Sequence, residues 1–283
     1  ANEFQYIDCT KDASFGGLDK MEATIVNIKN ISSNKDLDLI SSINLRDGIV
    51  CFDDVLFIRD AGIQYHRSNI GLKNKGGNNL YERIFSDDSE RFSVCKPTWY
   101  GKLINRYYIN QYTDEYFDLN YKESLNPNET VSFSKESFEK SPKLIWRQTA
   151  DRIRATIDCE KRWFRNTIQC AYLRDEYEHK YSYLFLLGLF NSEYIRYSYN
   201  KIVRENGRVF PQVKLTHLKK LPFVLDVNTE MQSKIESLVK TILQKKSNDE
   251  CIDTSYEEKE IDKLIYKIYG LTDAEIKIIE QSI

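Results

Sequence analysis

The sequence predicts an α+β fold, in which a domain built on a mixed β-sheet is followed by a bundle of C-terminal helices. Short runs rich in β-branched and aromatic residues recur through the first two-thirds of the chain and favour strands. Residues 223–283 instead repeat apolar side chains at helical spacing. We therefore divide the chain into residues 1–222, with a core at 94–222, and a helical tail at 223–283.

The composition is that of a globular protein, because 41% of the 283 residues are hydrophobic and 30% are charged. The longest apolar run, Tyr183–Phe190, is much shorter than the roughly 20 residues that span a bilayer. No basic and then apolar segment opens the chain. We expect a cytoplasmic protein without a membrane partner. The chain begins at Ala1 without a Met, which leads us to expect either a piece of a longer protein or removal of the Met by processing.

The cysteine and histidine residues favour reduced thiols and no zinc site. The six cysteines contain no Cys-x-x-Cys pair, and the three histidines are not spaced to bind one metal together. These residues are Cys9, Cys51, Cys95, Cys159, Cys170, Cys251, His66, His179 and His217.

Charge is distributed unevenly along the chain, although the net charge is only -2. Residues 141–222 contain 16 Lys and Arg against 8 Asp and Glu, a net charge of +8, whereas the segment on each side carries -5. A basic segment between acidic ones can create a one-sided field that attracts a phosphate backbone. The alternative is a solvated surface whose charge is merely uneven.

The first 85 residues predict short strands and one long loop. Ala23–Ile28 and Gly48–Asp60 have strand composition. Residues 67–79 are rich in Gly, Asn, Lys and Ser, which is typical of a long exposed loop. Two interpretations of this loop remain open: Arg67, Lys73 and Lys75 contact nucleic acid, or the loop is a flexible surface excursion.

Aromatic residues alternate with polar ones over Phe92–Tyr121, a pattern that fits strands with turns at Pro97 and Gly101. Lys102 and Arg106 are candidates for phosphate contacts in this segment. Residues 122–140 lack strong periodicity and predict a loop or a short helix.

Potential base-reading side chains are concentrated after a short predicted strand at Lys143–Trp146. Arginine can bond bidentately to guanine and glutamine to adenine, so this segment has the chemistry to read base edges. A surface hairpin with internal ion pairs is the alternative. The candidates are Arg147, Gln148, Arg152, Arg154 and Thr156.

The composition of Trp163–Ala171 again favours a strand. Asn166 and Thr167 near its start either form a turn or contact a ligand. The dense apolar residues of Tyr181–Ile202 predict one helix, buried against a sheet on more than one side. After it, Arg208 and Lys214 are further candidates for DNA contacts.

The tail predicts helices over Met231–Gln244 and Glu260–Tyr269, the second ending at Gly270. Thr272 and Glu275 have the spacing of a capping box for a third helix. The net negative charge of the tail, residues 223–283, indicates a structural or inter-domain role for it.

An ordered set of motifs carries a family resemblance. IxRQTxDRxxATxD, RNTIQ, YLFLLGLFNSEYIRYSYNK and GRVFPQVKLTHLKKLPF follow one another between residues 145 and 223. In this order they resemble the TaqI-type C-terminal specificity domain, or target recognition domain, of adenine-specific DNA methyltransferases, including type IIG restriction-modification enzymes. KPTWYGKLINRYYI before them and EKEIDKLIYKIYGLTDAEIKIIEQ at the end are also similar. The resemblance covers residues 94–283 well and 1–93 poorly.

The resemblance implies that this chain grips duplex DNA and selects the site. A separate N-terminal methyltransferase domain of the parent would bind S-adenosylmethionine and flip out the adenine. We find neither an Asn-Pro-Pro-Tyr-type tetrapeptide nor a glycine-rich cofactor loop in the chain, and no nuclease grouping. We thus expect DNA recognition without catalysis here, in a parent adenine-N6 methyltransferase that an endonuclease could accompany. The alternative is a protein-interaction scaffold that positions a separate methyltransferase or nuclease subunit.

Overall fold

The computed structural model of the chain describes residues 3–6, 24–27, 46–67, 78–203 and 212–282. The chain divides into two compact units, residues 1–47 and residues 48–283. The first unit contains the antiparallel strands β1 (Glu3–Tyr6) and β2 (Thr24–Asn27), and β2 lies within a predicted strand.

The second unit has the predicted α+β composition, with several small sheets and C-terminal helices. Its strands are β3 (Ile49–Cys51), β4 (Leu56–Asp60), β5 (Gln64–Arg67), β6 (Phe85–Ser86), β7 (Cys95–Trp99), β8 (Ile104–Asn105), β9 (Tyr108–Ile109), β10 (Tyr116–Asp118), β11 (Glu129–Ser132), β12 (Lys143–Arg147), β13 (Ala155–Asp158), β14 (Trp163–Phe164), β15 (Ile168–Leu173) and β16 (Pro222–Val224). Its helices are α1 (Phe52–Val55), α2 (Asn78–Ile84), α3 (Lys135–Glu139), α4 (Tyr183–Asn191), α5 (Glu193–Val203), α6 (Leu215–Leu218), α7 (Thr229–Asn248), α8 (Ser255–Ile268) and α9 (Asp273–Gln281).

The central sheet has the strand order β13-β12-β15-β4, and all neighbouring strands are antiparallel. Successive side chains of a strand point to opposite faces. Ile145 of β12 accordingly joins an aromatic core on one face. Trp146 packs 5.5 Å from Phe190 of α4 on the other face and donates a 2.8 Å hydrogen bond to Gln169 of β15. The sheet therefore separates an aromatic core from the helices.

The second sheet has the order β14-β7-β10-β6 and completes the aromatic core. β14 runs parallel to β7, and β10 is antiparallel to both β7 and β6. Phe85, Phe117, Phe138 and Phe164 of this core are each at most 1% exposed, and burying such a ring contributes about 1.5–3 kcal/mol. The ends of β7 and β14 and the start of β10 consequently lie at one edge of the sheet.

Two of the predicted segments contain more regular structure than expected. Residues 122–140 include β11, which pairs with β5, and the short helix α3, which the side chain of Ser134 caps. The predicted strand Gly48–Asp60 is divided into β3 and β4 by the helix α1. Asp54 in α1 accepts a 2.8 Å hydrogen bond from the Cys51 N–H, which stabilises the start of this helix.

The single helix predicted over Tyr181–Ile202 is instead two helices, α4 and α5. Ser192 lies between them in an extended conformation, with ψ 155°. Its hydroxyl accepts a 3.2 Å hydrogen bond from the Ile195 N–H and thereby caps α5. The predicted burial on more than one side is confirmed, because every residue from 185 to 191 is buried.

The C-terminal helices α7, α8 and α9 confirm the predicted tail. Gly270 follows the end of α8 and has a φ of 61°. Thr272 and Glu275 form the predicted capping box of α9. A Cβ atom on Gly188 of α4 would lie 2.7 Å from the Ile235 side chain of α7. The two helices therefore pack with the backbone of one against the side chains of the other. Among the described residues, no helix combines the length and the apolar character needed to cross a membrane.

Candidate nucleic-acid interface

A cleft of about 710 Å³ opens at the edge where β7 and β14 end and β10 begins. We name it the Arg147 cleft, after the last residue of β12, which contributes to its wall. It is lined by Tyr81, Glu82, Phe85, Ser86, Asp87, Arg91, Tyr100, Gly101, Lys102, Asp114, Glu115, Arg147, Thr149, Arg165 and Thr167.

One side of the Arg147 cleft is held by an ion pair between Arg165 and Glu115. Arg165 Nη1 lies 2.8 Å from Glu115 Oε2, and the Tyr81 hydroxyl donates a hydrogen bond to the same oxygen. The guanidinium lies 5.2 Å from the ring centre of Tyr81 and 5.5 Å from that of Tyr100. Arg165 is thus fixed between two aromatic rings, and its charge is already met by Glu115.

The pKa values of this group follow from burial and from the ion pair. Burial lowers the pKa of Arg165, but the negative charge of Glu115 and its hydrogen bond outweigh that effect and raise the pKa overall. Burial and the hydrogen bond to Glu115 raise the pKa of Tyr81. Near neutral pH the group therefore keeps a neutral phenol between two opposite charges, which makes it a rigid wall of the cleft.

Arg147 differs from Arg165 because no carboxylate among the described residues forms an ion pair with it. Its Nε atom is buried without a hydrogen bond. Burial lowers the pKa of Arg147, and the charge of Arg154 lowers it further, although Asp151 opposes both effects. A guanidinium stays protonated at neutral pH. The cleft therefore holds a partly desolvated positive charge that an anion or a base acceptor can satisfy.

The chain approaches Arg147 closely at Gly101, and this contact shapes the cleft. A Cβ atom on Gly101 would lie 3.3 Å from the Arg147 Cβ. The Gly101 N–H also donates a 3.0 Å hydrogen bond to the hydroxyl of Thr167. The next residue, Lys102, is exposed and has no ion pair within the described residues. Arg91, Lys102 and Arg147 consequently line the same cleft without an ion pair among the described residues.

Arg106 and Arg152, two other predicted contact residues, are engaged with the helices. Arg106 Nη2 lies 2.5 Å from Glu258 of α8, and Arg152 Nη2 lies 2.7 Å from Glu193 of α5. Both guanidinium groups also donate to the carbonyl of Asn191, at 2.8 Å and 3.5 Å. Neither lines the Arg147 cleft.

The loop between β12 and β13 is held by internal contacts, as in the alternative hairpin interpretation. Arg154 donates a 2.8 Å hydrogen bond to Asp151 and a 3.1 Å bond to Asn105. The side chain of Asn191 accepts from the Ala155 N–H and donates to the Ala155 carbonyl, each at 3.0 Å. Thr156, in β13, is only 2% exposed. Arg154 and Thr156 therefore lie outside the Arg147 cleft.

The remaining predicted residues are dispersed. Gln148 is half-buried beside the cleft, and its backbone bonds to Thr167 and Val213. Lys214 is half-buried, and its N–H donates a 2.7 Å hydrogen bond to the Tyr199 hydroxyl. Arg67 is the last residue of β5, opposite Glu129, and its side chain is outside the described part of the structure. Lys73, Lys75 and Arg208 also lie outside the described residues.

Ion pairs with carboxylates outside residues 141–222 offset part of the basic excess of this segment. Arg165 Nη1 lies 2.8 Å from Glu115, and Lys180 Nζ lies 3.1 Å from Asp226. Lys219 Nζ lies 3.1 Å from Asp53. The linear charge count consequently overstates the positive charge available to a ligand.

Tyr81, Tyr100, Glu115, Thr149 and Arg165 are cleft residues that sequence reasoning did not select. Arg165 lies 84 positions from Tyr81 and 50 from Glu115, and no local pattern connects residues so far apart. Thr167 was recognised as either a turn or a ligand residue, and it lies in the cleft wall. Within the described residues no group of three metal-ligating side chains occurs.

Comparison with known families confirms the resemblance for residues 96–223, which match the model of the TaqI-like C-terminal specificity domain. The match begins at the second residue of β7 and ends within β16, before the C-terminal helices. The similarity of residues 258–281 to this family therefore remains a prediction. No curated protein matches the chain.

Two solved structures are similar to the chain at low sequence identity. The type IIG restriction endonuclease BpuSI has a TM-score of 0.43 and 12% identity, covering 88% of this chain and 36% of its own. The type IIL restriction-modification enzyme MmeI in complex with DNA has a TM-score of 0.42 and 10% identity, covering 78% of this chain and 35% of its own. The chain thus spans about a third of the length of each enzyme.

Proposed function

We propose, from the premise that residues 96–223 form a TaqI-like C-terminal specificity domain, that this chain recognises a duplex DNA site for a restriction-modification enzyme. Nine of the fifteen residues that line the Arg147 cleft belong to this matched segment, and they include side chains of the kinds that bind DNA. Arginine reads guanine edges, and lysine and threonine bind phosphate oxygens.

The observation that carries the proposal is the unpaired charge of Arg147 in a segment matched to a specificity domain. A partly buried guanidinium without an ion-pair partner carries a desolvation cost in the free protein. Binding of a phosphate or a guanine edge removes that cost. Arg106, Arg152 and Arg165 already have carboxylate partners, so a DNA contact by any of them competes with an existing ion pair.

We further propose that methyl transfer takes place in a separate adenine-N6 methyltransferase domain of the parent enzyme. S-adenosylmethionine would bind in that domain, because the sequence of this chain contains no glycine-rich cofactor loop after a strand. The role of this chain is then to position the duplex, and we assign it no chemical step.

The proposal is tested by selecting duplexes that the purified chain retains from a random-sequence library, followed by fluorescence anisotropy at several salt concentrations. We expect enrichment of a short common sequence and an affinity that falls steeply as salt rises, because phosphate contacts release counterions. A scrambled duplex of equal length is the control for specificity.

Failure to retain any duplex at low salt would overturn the proposal. A salt-insensitive interaction with a methyltransferase or nuclease subunit, in place of DNA binding, would support the scaffold alternative.

A further inference from the structure

A second cleft, of about 680 Å³, lies at the opposite edge of the second sheet from the Arg147 cleft. Lys96 of β7 and Lys161, before β14, line it, and each precedes by two residues the parallel pair Thr98 and Trp163. Lys122, which follows β10, also lines it. Because β10 runs antiparallel to β7 and β14, all three positions belong to the same edge. We name this the Trp163 cleft.

The Trp163 cleft combines unpaired cations with aromatic side chains. Lys96, Lys122, Lys135 and Lys161 line it, and all four are exposed and without an ion pair within the described residues. The carboxylates of Glu139 and Glu160 also line the cleft. The charge of Glu160 is met by a 2.8 Å ion pair with Arg162. The cleft therefore carries a net positive charge.

The aromatic floor of the cleft is rigid and partly accessible. Tyr121, Phe133 and Trp163 are each half-buried. The ring of Trp163 stacks on buried Phe138, with centroids 4.6 Å apart and an interplanar angle of 22°, and lies 5.3 Å from Phe133. A platform held in this way can receive a flat ring without first having to order its own side chains.

We propose that the Trp163 cleft binds an unpaired stretch of a DNA strand, an activity beyond the duplex recognition proposed above. Lysine ammonium groups bind successive phosphates, and aromatic rings stack on bases that are free of their partners. A rigid duplex keeps its bases inside and reaches only the lysines at the rim. The floor of half-buried rings therefore favours a single strand.

The position of the cleft makes this site separable from the Arg147 cleft. The strand β7 between the two edges has five residues and spans about 13 Å at about 3.3 Å per residue. No residue lines both clefts. Substitutions in one cleft can therefore be made without removing contacts in the other.

Tryptophan fluorescence of the whole chain tests the proposal directly. Trp99 and Trp146 are 8% and 0% exposed, whereas Trp163 is half-buried and lines the cleft. Oligo(dT) of about 12 nucleotides, a length that one small domain can cover, is expected to quench this fluorescence at low salt. Trp163→Phe is expected to abolish the quenching.

Lys122→Gln/Lys135→Gln is expected to weaken oligo(dT) binding at least about tenfold at low salt. The matched control is Lys240→Gln/Lys277→Gln, which removes the same charge from exposed positions on α7 and α9 and should leave the affinity unchanged. Arg147→Gln should also leave oligo(dT) quenching unchanged while it weakens duplex binding, so the two proposals fail independently.

The proposal is overturned if oligo(dT) causes no quenching, or if the Lys122 and Lys135 variant binds oligo(dT) as the control does. Equal quenching by a duplex of the same length also overturns it, because the cleft would then not select an unpaired strand.

Discussion

The arginine residues of this chain differ in whether a carboxylate meets their charge. Arg152 pairs with Glu193 and Arg165 with Glu115, whereas Arg147 has no such partner among the described residues. The sequence identified Arg147 as a candidate for base contact, but it ranked Arg152 equally. Which arginine is paired depends on side chains that the fold brings from distant segments, so sequence spacing carries no signal of it.

Arg147→Gln is expected to weaken binding of the selected duplex by about 1–3 kcal/mol, or roughly 5- to 150-fold, and to reduce discrimination against a scrambled duplex. The physical reason is the loss of a bidentate donor from the cleft. Arg147→Lys keeps the positive charge but not the planar fork. It should retain binding to scrambled DNA and lose much of the discrimination.

These affinities are measured by anisotropy competition between selected and scrambled duplexes. If Arg147→Gln and the wild-type chain discriminate equally, Arg147 does not read a base.

At the scale of elements, local signals were predictable and tertiary ones were not. The capping box of Thr272 and Glu275 is formed as predicted, because all its partners lie within four residues. The break at Ser192 also has a local signal, a capping serine followed by an acidic first turn, but the surrounding apolar density indicated one continuous helix. The pairing of β11 with β5 has no local signal in the sequence, because residues 129–132 pair with the distant residues 64–67.

The junction between α5 and α8 holds a half-buried carboxylate, Asp262. It accepts a 2.8 Å hydrogen bond from the Glu193 N–H. Burial raises the pKa of Asp262 to about 7, and the negative charges of Glu193 and Glu258 act in the same direction, while this hydrogen bond and Arg106 oppose them. Lys259, Lys263, Tyr266 and Glu280 line the same cavity.

We expect Asp262 to make the folded chain less stable as pH rises from about 4 to about 7. A raised folded-state pKa means that the folded state holds the proton more tightly than the unfolded state does. The stabilisation is complete below the unfolded pKa, 3.8 for a free Asp side chain, and is lost as pH passes through about 7. At about 1.4 kcal/mol per pKa unit, the loss should be at most about 4 kcal/mol.

Urea unfolding of the wild-type chain and of Asp262→Asn across this pH range measures the effect. Asparagine can still accept the Glu193 N–H, and the variant cannot ionise. The free energy of unfolding of the variant relative to wild type should therefore rise with pH. A difference that stays constant between pH 4 and pH 7.5 would show that Asp262 does not titrate in this window.

At the scale of the whole molecule, the second sheet determines which residues meet. Its parallel pair β14 and β7, with antiparallel β10, brings the segments after residues 99 and 164 and before residue 116 to one edge. The α+β class and most helices could be predicted because their patterns are local. The Arg147 cleft could not, because only the tertiary fold brings together Tyr81 of α2, Glu115 before β10 and Arg165 after β14.

The central claim, that the Arg147 cleft faces the DNA backbone, is tested most directly by the salt dependence of duplex binding in Lys102→Gln. The slope of log Kobs against log salt should become less negative by about 1, because one phosphate contact is lost. Lys240→Gln, an exposed lysine on α7, should retain the wild-type slope. Identical slopes for wild type and Lys102→Gln, with duplex binding intact in both, would contradict the claim.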